Sequence, residues 1–247
     1  MNIILFEAEE MGKAIPASDR RVQHIRKVLH IGKGDVFEAG LIHGKRGRAW
    51  IASEEGDTVV FEGTFDTDPD PMKPIELVLG FVRPLCAKRI LKDMTAIGVR
   101  ALHFVTTDTG EKSYRDADLW KGNAYAVHLI EGAEQGFSTL IPEVSLHWSL
   151  SACEESLSSR TEASPVLRIA FDNGEDALPL SSLPSTLPST DTVLIVAVGS
   201  ERGWSEAERR FLADSGYRLV SLGRRILRTE SACAVGIGIL CARYGLL

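Results

Sequence analysis

The densest group of reactive side chains lies in SLGRRILRTESACAVGIGIL, where Arg224, Arg225 and Arg228 crowd behind Gly223 and Glu230 follows closely. A guanidinium stays protonated in proteins, so none of these arginines can act as a base. What they can do is neutralise an anionic ligand or stabilise negative charge as it develops. Glu230 is the nearest carboxylate in sequence and adds an acceptor for a proton, directly or through water. The structural alternatives are that Glu230 caps the helix it opens and that Arg228 pairs with it or with a phosphate.

A second stretch, VGSERGWSEAE, follows the apolar run TVLIVAV. Gly199 and Gly203 permit close backbone approach and positive φ, and Ser205 with Glu208 three residues on has the spacing of a capping box. Read alone, the turn either holds a ligand or is simply a well-capped connection. A dinucleotide site would need G-x-G-x-x-G after the first strand, and that pattern is missing. In GIGIL, Gly236 and Gly238 fall within a helical pattern and are expected to allow tight packing.

The elements around these stretches set where they can sit. After residue 70, IELVLGFV, ALHFVTT, VSLHW, PVLRIAFD and TVLIVAVG are continuous apolar runs of strand length. They alternate with helical patterns such as AKRILKDMTAIG and DLWKGNAYAVHLIEGAEQ. Strands apolar on both faces that alternate with helices imply a parallel sheet covered on both sides. Ligands of such sheets sit at the carboxyl ends of the strands, which is where both reactive stretches fall. Before residue 70 the runs IILF, GRAWIAS and TVVFEG are short and separated by turn signals, as in a small barrel or sandwich. We expect domains at 1–70 and 71–247, divided by the acidic, proline-bearing segment near Asp66–Pro74, and read LPLSSLPSTLPSTD as a surface loop.

At 247 residues, with 44% hydrophobic and 25% charged residues, the chain can bury a full core. No run approaches the ~18 apolar residues of a membrane span, and the expected location is the cytoplasm. Cys86, Cys153, Cys233 and Cys241 are scattered, without Cys-x-x-Cys spacing or an adjoining His pair, so neither a zinc site nor a disulfide framework is expected. His103 and His147 lie in strand-like runs and read as core histidines. The net charge of −6 argues against nonspecific coating of nucleic acid, yet the segment Arg20–Arg48 is a basic island opposed only by Asp35 and Glu38. Lys88, Arg89 and Lys92 form a second basic face, open to RNA or to solvent.

Together the two reactive stretches resemble a paired signature: Gly-Pro-Glu-Gly-Gly-Phe/Leu-Ser-x-x-Glu, then Leu-Gly-x-Arg-Ile-Leu-Arg-Thr-Glu-Thr-Ala. On this basis the chain is similar to the 16S ribosomal RNA uridine N3-methyltransferases of the knotted SPOUT class. Leu222, Gly223, Arg225, Ile226, Leu227, Arg228, Thr229, Glu230 and Ala232 agree in the second motif, with Ser231 for threonine. The first keeps Gly199, Glu201, Gly203 and Ser205, while Ser200, Arg202 and Trp204 depart from it. HIRKVLHIGKGD, Glu111 with Ser113, and Ala133-Glu134-Gln135 extend the likeness along almost the whole chain, although no arginine follows Gln135 and Ala96 stands where the family has glutamate.

The resemblance implies a PUA-like β-barrel that helps to hold RNA, followed by a SPOUT domain whose last segments form a trefoil knot. It implies a homodimer with S-adenosylmethionine as cofactor and small-subunit ribosomal RNA as substrate, with no DNA or membrane partner and no metal. Val198, Gly199, Glu201, Gly203, Leu222, Gly223, Ile226 and Leu227 are the expected cofactor residues. Arg228 and Glu230 are the expected catalytic pair, and Arg26, Lys27, Arg46 and Arg225 are expected to touch RNA. Glu134 and Gln135 are open to substrate binding, subunit bridging or a solvated helix face. The alternatives are a SPOUT enzyme with another RNA target and an RNA-binding module that has lost catalysis.

If the basic island binds phosphates, RNA affinity falls steeply with added salt, and replacing Arg26, Lys27 and Arg46 by neutral residues flattens that dependence while sparing cofactor binding. Filter binding over a salt series checks this; an unchanged slope would place the RNA anchor elsewhere.

Overall fold

The apolar runs become strands, and the strands form two separate sheets. Residues 3–161 and 164–247 are described by the computed structural model, and they divide into two compact units. One unit contains the residues up to Pro71 together with Ile130–Ile141; the other contains Met72–Leu129 and Pro142–Leu247. The segment Ile130–Ile141, counted above with the second domain, thus groups with the first.

In the first unit β1 (Ile4–Phe6), β2 (Ala14–Pro16), β3 (Val36–Leu41), β4 (Arg46–Glu55) and β5 (Thr58–Thr67) pair in the order β1-β3-β4-β5-β2. Only β1 and β3 run parallel. Alternating side chains of these strands, with Val22 and Ile25 of helix α1 (Arg20–Lys27), close a core around Phe6, Phe37 and Phe61. Asp19 caps α1 by accepting from the Arg21 amide at 2.8 Å. The Arg21 guanidinium forks onto Glu10 at 2.6 and 2.7 Å and onto Asp19, and these hydrogen bonds hold both carboxyls below their ordinary range. A second small cluster joins Ile3, Leu5 and Ala133, which is why residues 130–141 belong here.

The second unit is a seven-stranded sheet in which every pairing is parallel. Its elements are β6 (Lys73–Gly80), α2 (Pro84–Ile97), β7 (Val99–Val105), α3 (Lys112–Arg115), the first turn of α4 (Ala126–Gln135, whose remainder belongs to the first unit), β8 (Glu143–His147), α5 (Leu150–Thr161), β9 (Val166–Phe171), β10 (Leu178–Pro179), β11 (Val193–Val198), α6 (Glu206–Asp214), β12 (Arg218–Ser221) and α7 (Thr229–Tyr244). The strand order is β10-β12-β9-β11-β6-β7-β8. Every residue of β11 is buried, as continuous apolar runs require of a strand covered on both faces. Helix α2 begins with Pro84 at its first turn and ends at Gly98 in the left-handed region, and its neighbour α7 also ends on a left-handed glycine, Gly245.

Two short strands, β2 and β12, were not legible as apolar runs, and β10 lies inside the stretch expected to be loop. The helical pattern over 118–135 breaks into a 3-10 turn and α4, because Lys121 is extended and Gly122 has φ 55°. Gly236 behaves as expected of a packing glycine: a Cβ there would lie 2.1 Å from the ring of Phe171. Gly236→Ala therefore overpacks the contact between α7 and β9 and is expected to cost about 1–3 kcal/mol. Urea unfolding measures this, with Gly238→Ala, where a Cβ meets nothing within 4 Å, as the near-neutral comparison.

Candidate active site

At the carboxyl end of β11 the chain turns through Gly199–Trp204 before α6 begins. The turn is tight: a Cβ on Gly199 would approach the Gly203 carbonyl carbon to 2.9 Å, and Gly203 sits at φ 70°. The Gly203 amide donates to the Ser200 carbonyl at 2.9 Å, closing the loop on itself. Where the resemblance has proline, the Ser200 hydroxyl is buried and lies 3.3 Å from both the Thr107 and Thr109 hydroxyls. Thr109 also donates to the Gly203 carbonyl at 2.6 Å. Trp204 is buried beneath the loop and donates its indole N–H to the Phe171 carbonyl.

The capping box predicted from Ser205 and Glu208 is present, and it does more than cap. Ser205 Oγ donates to Asp108 Oδ2 at 2.6 Å, and Glu208 Oε1 accepts from the Asp108 amide at 2.8 Å. The start of α6 and the loop after β7 are thereby held as one body.

The second reactive stretch leaves β12 and runs irregularly from Leu222 to α7. Gly223 has φ 126°, a conformation that strains other residues, and Ser221 Oγ bonds both its N–H and its carbonyl. Arg228 is the N-cap of α7 but makes no side-chain cap bond. The first amides of a 16-residue helix, with their positive end of the helix dipole, therefore sit beside Thr229 and Glu230 without a capping side chain.

These loops wall two adjoining cavities. One, of about 290 Å³, is lined by Val198, Gly199, Gly203, Leu222, Ile226 and Leu227 among others. The larger, of about 610 Å³, is lined by Arg83, Glu111, Tyr114, Arg228 and Glu230. Ser200, Glu201, Arg202, Ile226, Leu227 and Thr229 border both. Glu201 is anchored by accepting from the Arg83 amide at 2.8 Å. Burial, together with the neighbouring Glu230 and Glu201 charges, pushes the Cys86 thiol up, so Cys86 is an un-ionised wall of the larger cavity.

Most of the expected residues thus converge. Val198, Gly199, Glu201, Gly203, Leu222, Ile226 and Leu227 meet at the smaller cavity, and Arg228 with Glu230 at the larger. Gly223 falls beside the smaller cavity, on a shallow hollow with Arg224 and Ile226. Arg225, expected to touch RNA, lines the smaller cavity.

In the first unit most of the basic residues named above have partners within the unit. Arg20 pairs with Glu134 at 2.9 Å, and Arg26 pairs with Glu54 at 2.9 Å. Arg46 stacks over the Phe137 ring and donates to the Phe137 carbonyl, leaving its side chain only 19% exposed. Lys27 is exposed.

Asp172 is a site residue that sequence reasoning missed. It follows β9 directly, borders the smaller cavity, and is gripped by Arg209 through bonds of 2.7 and 3.1 Å. Its position just past a strand's carboxyl end was the available signal.

Residues 68–241, which include the parallel sheet and both glycine-bearing loops, match the RNA methyltransferase domain family. The chain is 37% identical to the ribosomal RNA small subunit methyltransferase E of Treponema pallidum (strain Nichols), over 98% of this chain and 91% of that protein. It is 28% identical to ribosomal RNA small subunit methyltransferase E 1 of Borreliella burgdorferi, over 94% of each. The chain belongs to this family of RNA methyltransferases. Its fold is similar to the crystal structure of a ribosomal RNA small subunit methyltransferase E from Neisseria gonorrhoeae bound to S-adenosyl methionine, with a TM-score of 0.76, 22% identity, and coverage of 99% and 98% of the two chains.

The Asp108 tie gives a specific expectation. Replacing an N-cap serine by glycine ordinarily costs only a few tenths of a kcal/mol and by alanine about 1 kcal/mol. Ser205→Gly also removes the bond to Asp108, so it is expected to cost about 1 kcal/mol more than a cap alone. Urea unfolding beside Asp108→Ala checks it, because the double variant must then be less than additive.

Proposed function

We propose that the chain is an S-adenosylmethionine-dependent methyltransferase acting on N3 of a uridine in small-subunit (16S) ribosomal RNA. The observation that carries this reading is the shared wall. Ile226 and Leu227 border a small cavity built of backbone turns and, on their other side, a larger one that holds Arg228 and Glu230. The residues of the small cavity fit the cofactor: Gly199, whose added Cβ would crowd the turn, Gly203 at a positive φ, main-chain groups of two loops, and Ile226, an isoleucine left 83% exposed. When bound there, the cofactor supplies an electrophilic methyl group.

The chain's own residues would then act on the base. Orientation of a nucleophile at close range supplies most of the acceleration in such a displacement. As the N3–C bond forms, the N3 proton must leave, and Glu230 is placed to accept it, directly or through water. Arg228, adjoining it, would stabilise the negative charge that the uracil carries meanwhile. The relatives' names support ribosomal RNA as substrate.

For the whole molecule we propose a homodimer in the cytoplasm, with a PUA-like barrel in the first unit and a trefoil knot in the second. The packing of α7 on α2 supports the knot, since the chain must return from β12 past β9, β11 and β6 in the sheet order. The exposed side chains of Leu85, Val235 and Ile239 on the same two helices support the dimer. Among the described residues no helix is long and apolar enough to cross a membrane.

The test has two arms. Mass mapping of small-subunit RNA from a deletion strain should reveal one uridine lacking a methyl group, and an unchanged methylation pattern would overturn the reading. Arg228→Lys keeps the charge but loses the planar fork. It is expected to slow single-turnover methylation of ribosomal subunits on the order of 100-fold to 1,000-fold, with cofactor affinity by calorimetry nearly intact and Arg224→Ala mild. Wild-type turnover by Arg228→Lys would assign Arg228 a structural role.

A further inference from the structure

At the opposite side of the second sheet from β12, three residues far apart in sequence converge: His103 on β7, His147 at the end of β8, and Cys153 on α5. One ring nitrogen of each histidine and the Cys153 sulfur all lie within 4.8 Å of one another. Sequence spacing gave His103 and His147 only as core histidines and offered no zinc motif; the fold brings them together with Cys153. We propose that His103, His147 and Cys153 bind a single divalent ion of the zinc type, separately from the methyl-transfer site.

The side chains around the cluster prepare it for such an ion. Glu76 is wholly buried, and although burial works against its charge, hydrogen bonds from His103 and Arg100 hold it ionised, at about 2. Its Oε2 lies 3.1 Å from His103 Nε2, so His103 carries its proton on Nε2 and turns the lone pair of Nδ1 outward. A buried carboxylate that orients a histidine in this way is the usual second layer of a metal centre.

That lone pair faces His147 Nε2 at 3.4 Å. Two nitrogens on one tetrahedral zinc, each ~2.0–2.1 Å from it, stand about 3.3 Å apart, so the pair needs almost no movement. Burial and the neighbouring His103 lower the pKa of His147, which favours the neutral imidazole that coordinates a metal.

Cys153 completes a His₂Cys set, and its thiol, pushed up by burial, is protonated until a metal arrives. On binding, the sulfur–metal bond forms, the S–H proton passes to solvent, and His147 moves its proton to Nδ1. His147 is half-buried and borders a cavity of about 330 Å³ with Phe81, Trp120 and Trp148, so an ion can approach the cluster past His147. The competing arrangement is a metal-free chain in which His147 Nε2–H donates to His103 Nδ1 and His103 to Glu76.

Anaerobic titration of the full-length protein with Co²⁺ separates the two. A bound cobalt–thiolate gives near-ultraviolet charge-transfer absorption; it is expected to saturate at one equivalent and to be displaced by Zn²⁺. Cys153→Ser should abolish that absorption, and His147→Gln, at a half-buried position, should weaken binding at least 10-fold if the ring is a ligand. Circular dichroism confirms that each variant is folded, and His147→Gln keeps the test decisive should Cys153→Ser fail to fold. Absence of saturable absorption in the wild-type protein, or its persistence in both variants, would overturn the proposal in favour of the hydrogen-bond chain.

Discussion

A strand buried on both faces can present polar groups to solvent and to a ligand arriving from it only at its ends. In the second sheet every pairing is parallel, so all the carboxyl ends lie on one edge, and the residues that must leave the core leave it together. Val198, Phe171 and Ser221 end neighbouring strands of that sheet or stand one strand apart, and the loops following them wall the same pair of cavities or the hollow beside them. Methyl transfer asks for little side-chain chemistry and for much positioning, and an edge of rigid, buried strands provides that. The glycines answer the remaining difficulty, which is to turn the chain sharply while its backbone stays close to whatever occupies the cavity.

The rigidity extends to the loops. The Ser205–Glu208–Asp108 bonds and the contact of Ser200 with Thr107 and Thr109 join the turn after β11 to the loop after β7. Serine in place of the expected proline thus gives up a fixed φ but gains hydroxyl partners across the cavity floor. The departures in that motif are compensated locally, which is why a looser sequence match still yields a closed loop.

Legibility followed locality. The strands β6, β7, β8, β9 and β11 were readable because burial on both faces writes an unbroken apolar run, and the cap at Ser205 because its two partners lie three residues apart. The strand β12 reads Arg-Leu-Val-Ser and β2 Ala-Ile-Pro; each is too short and too polar at its edges to signal itself, and pairing with a neighbour decides its state. The partners of Arg26 and Arg46 could not be read from the island itself, because Glu54 and Phe137 lie far along the chain. The His103–His147–Cys153 group was hidden for the same reason, since neither spacing nor periodicity encodes which strands become neighbours, whereas Asp172 stood in view just past β9.

The exposed isoleucine at 226 has a thermodynamic consequence. A large apolar side chain left in water at the mouth of a cavity keeps its hydration shell until an occupant covers it, and the segment Leu222–Arg228 around it has no regular hydrogen-bonded ladder to hold it still. Covering that surface removes heat capacity from the system, so occupancy of the cavity becomes progressively more exothermic on warming. Any ordering of the segment adds an opposing entropy. Affinity measured at one temperature would then conceal two large, compensating terms, and the fingerprint of the site is the slope of its binding enthalpy.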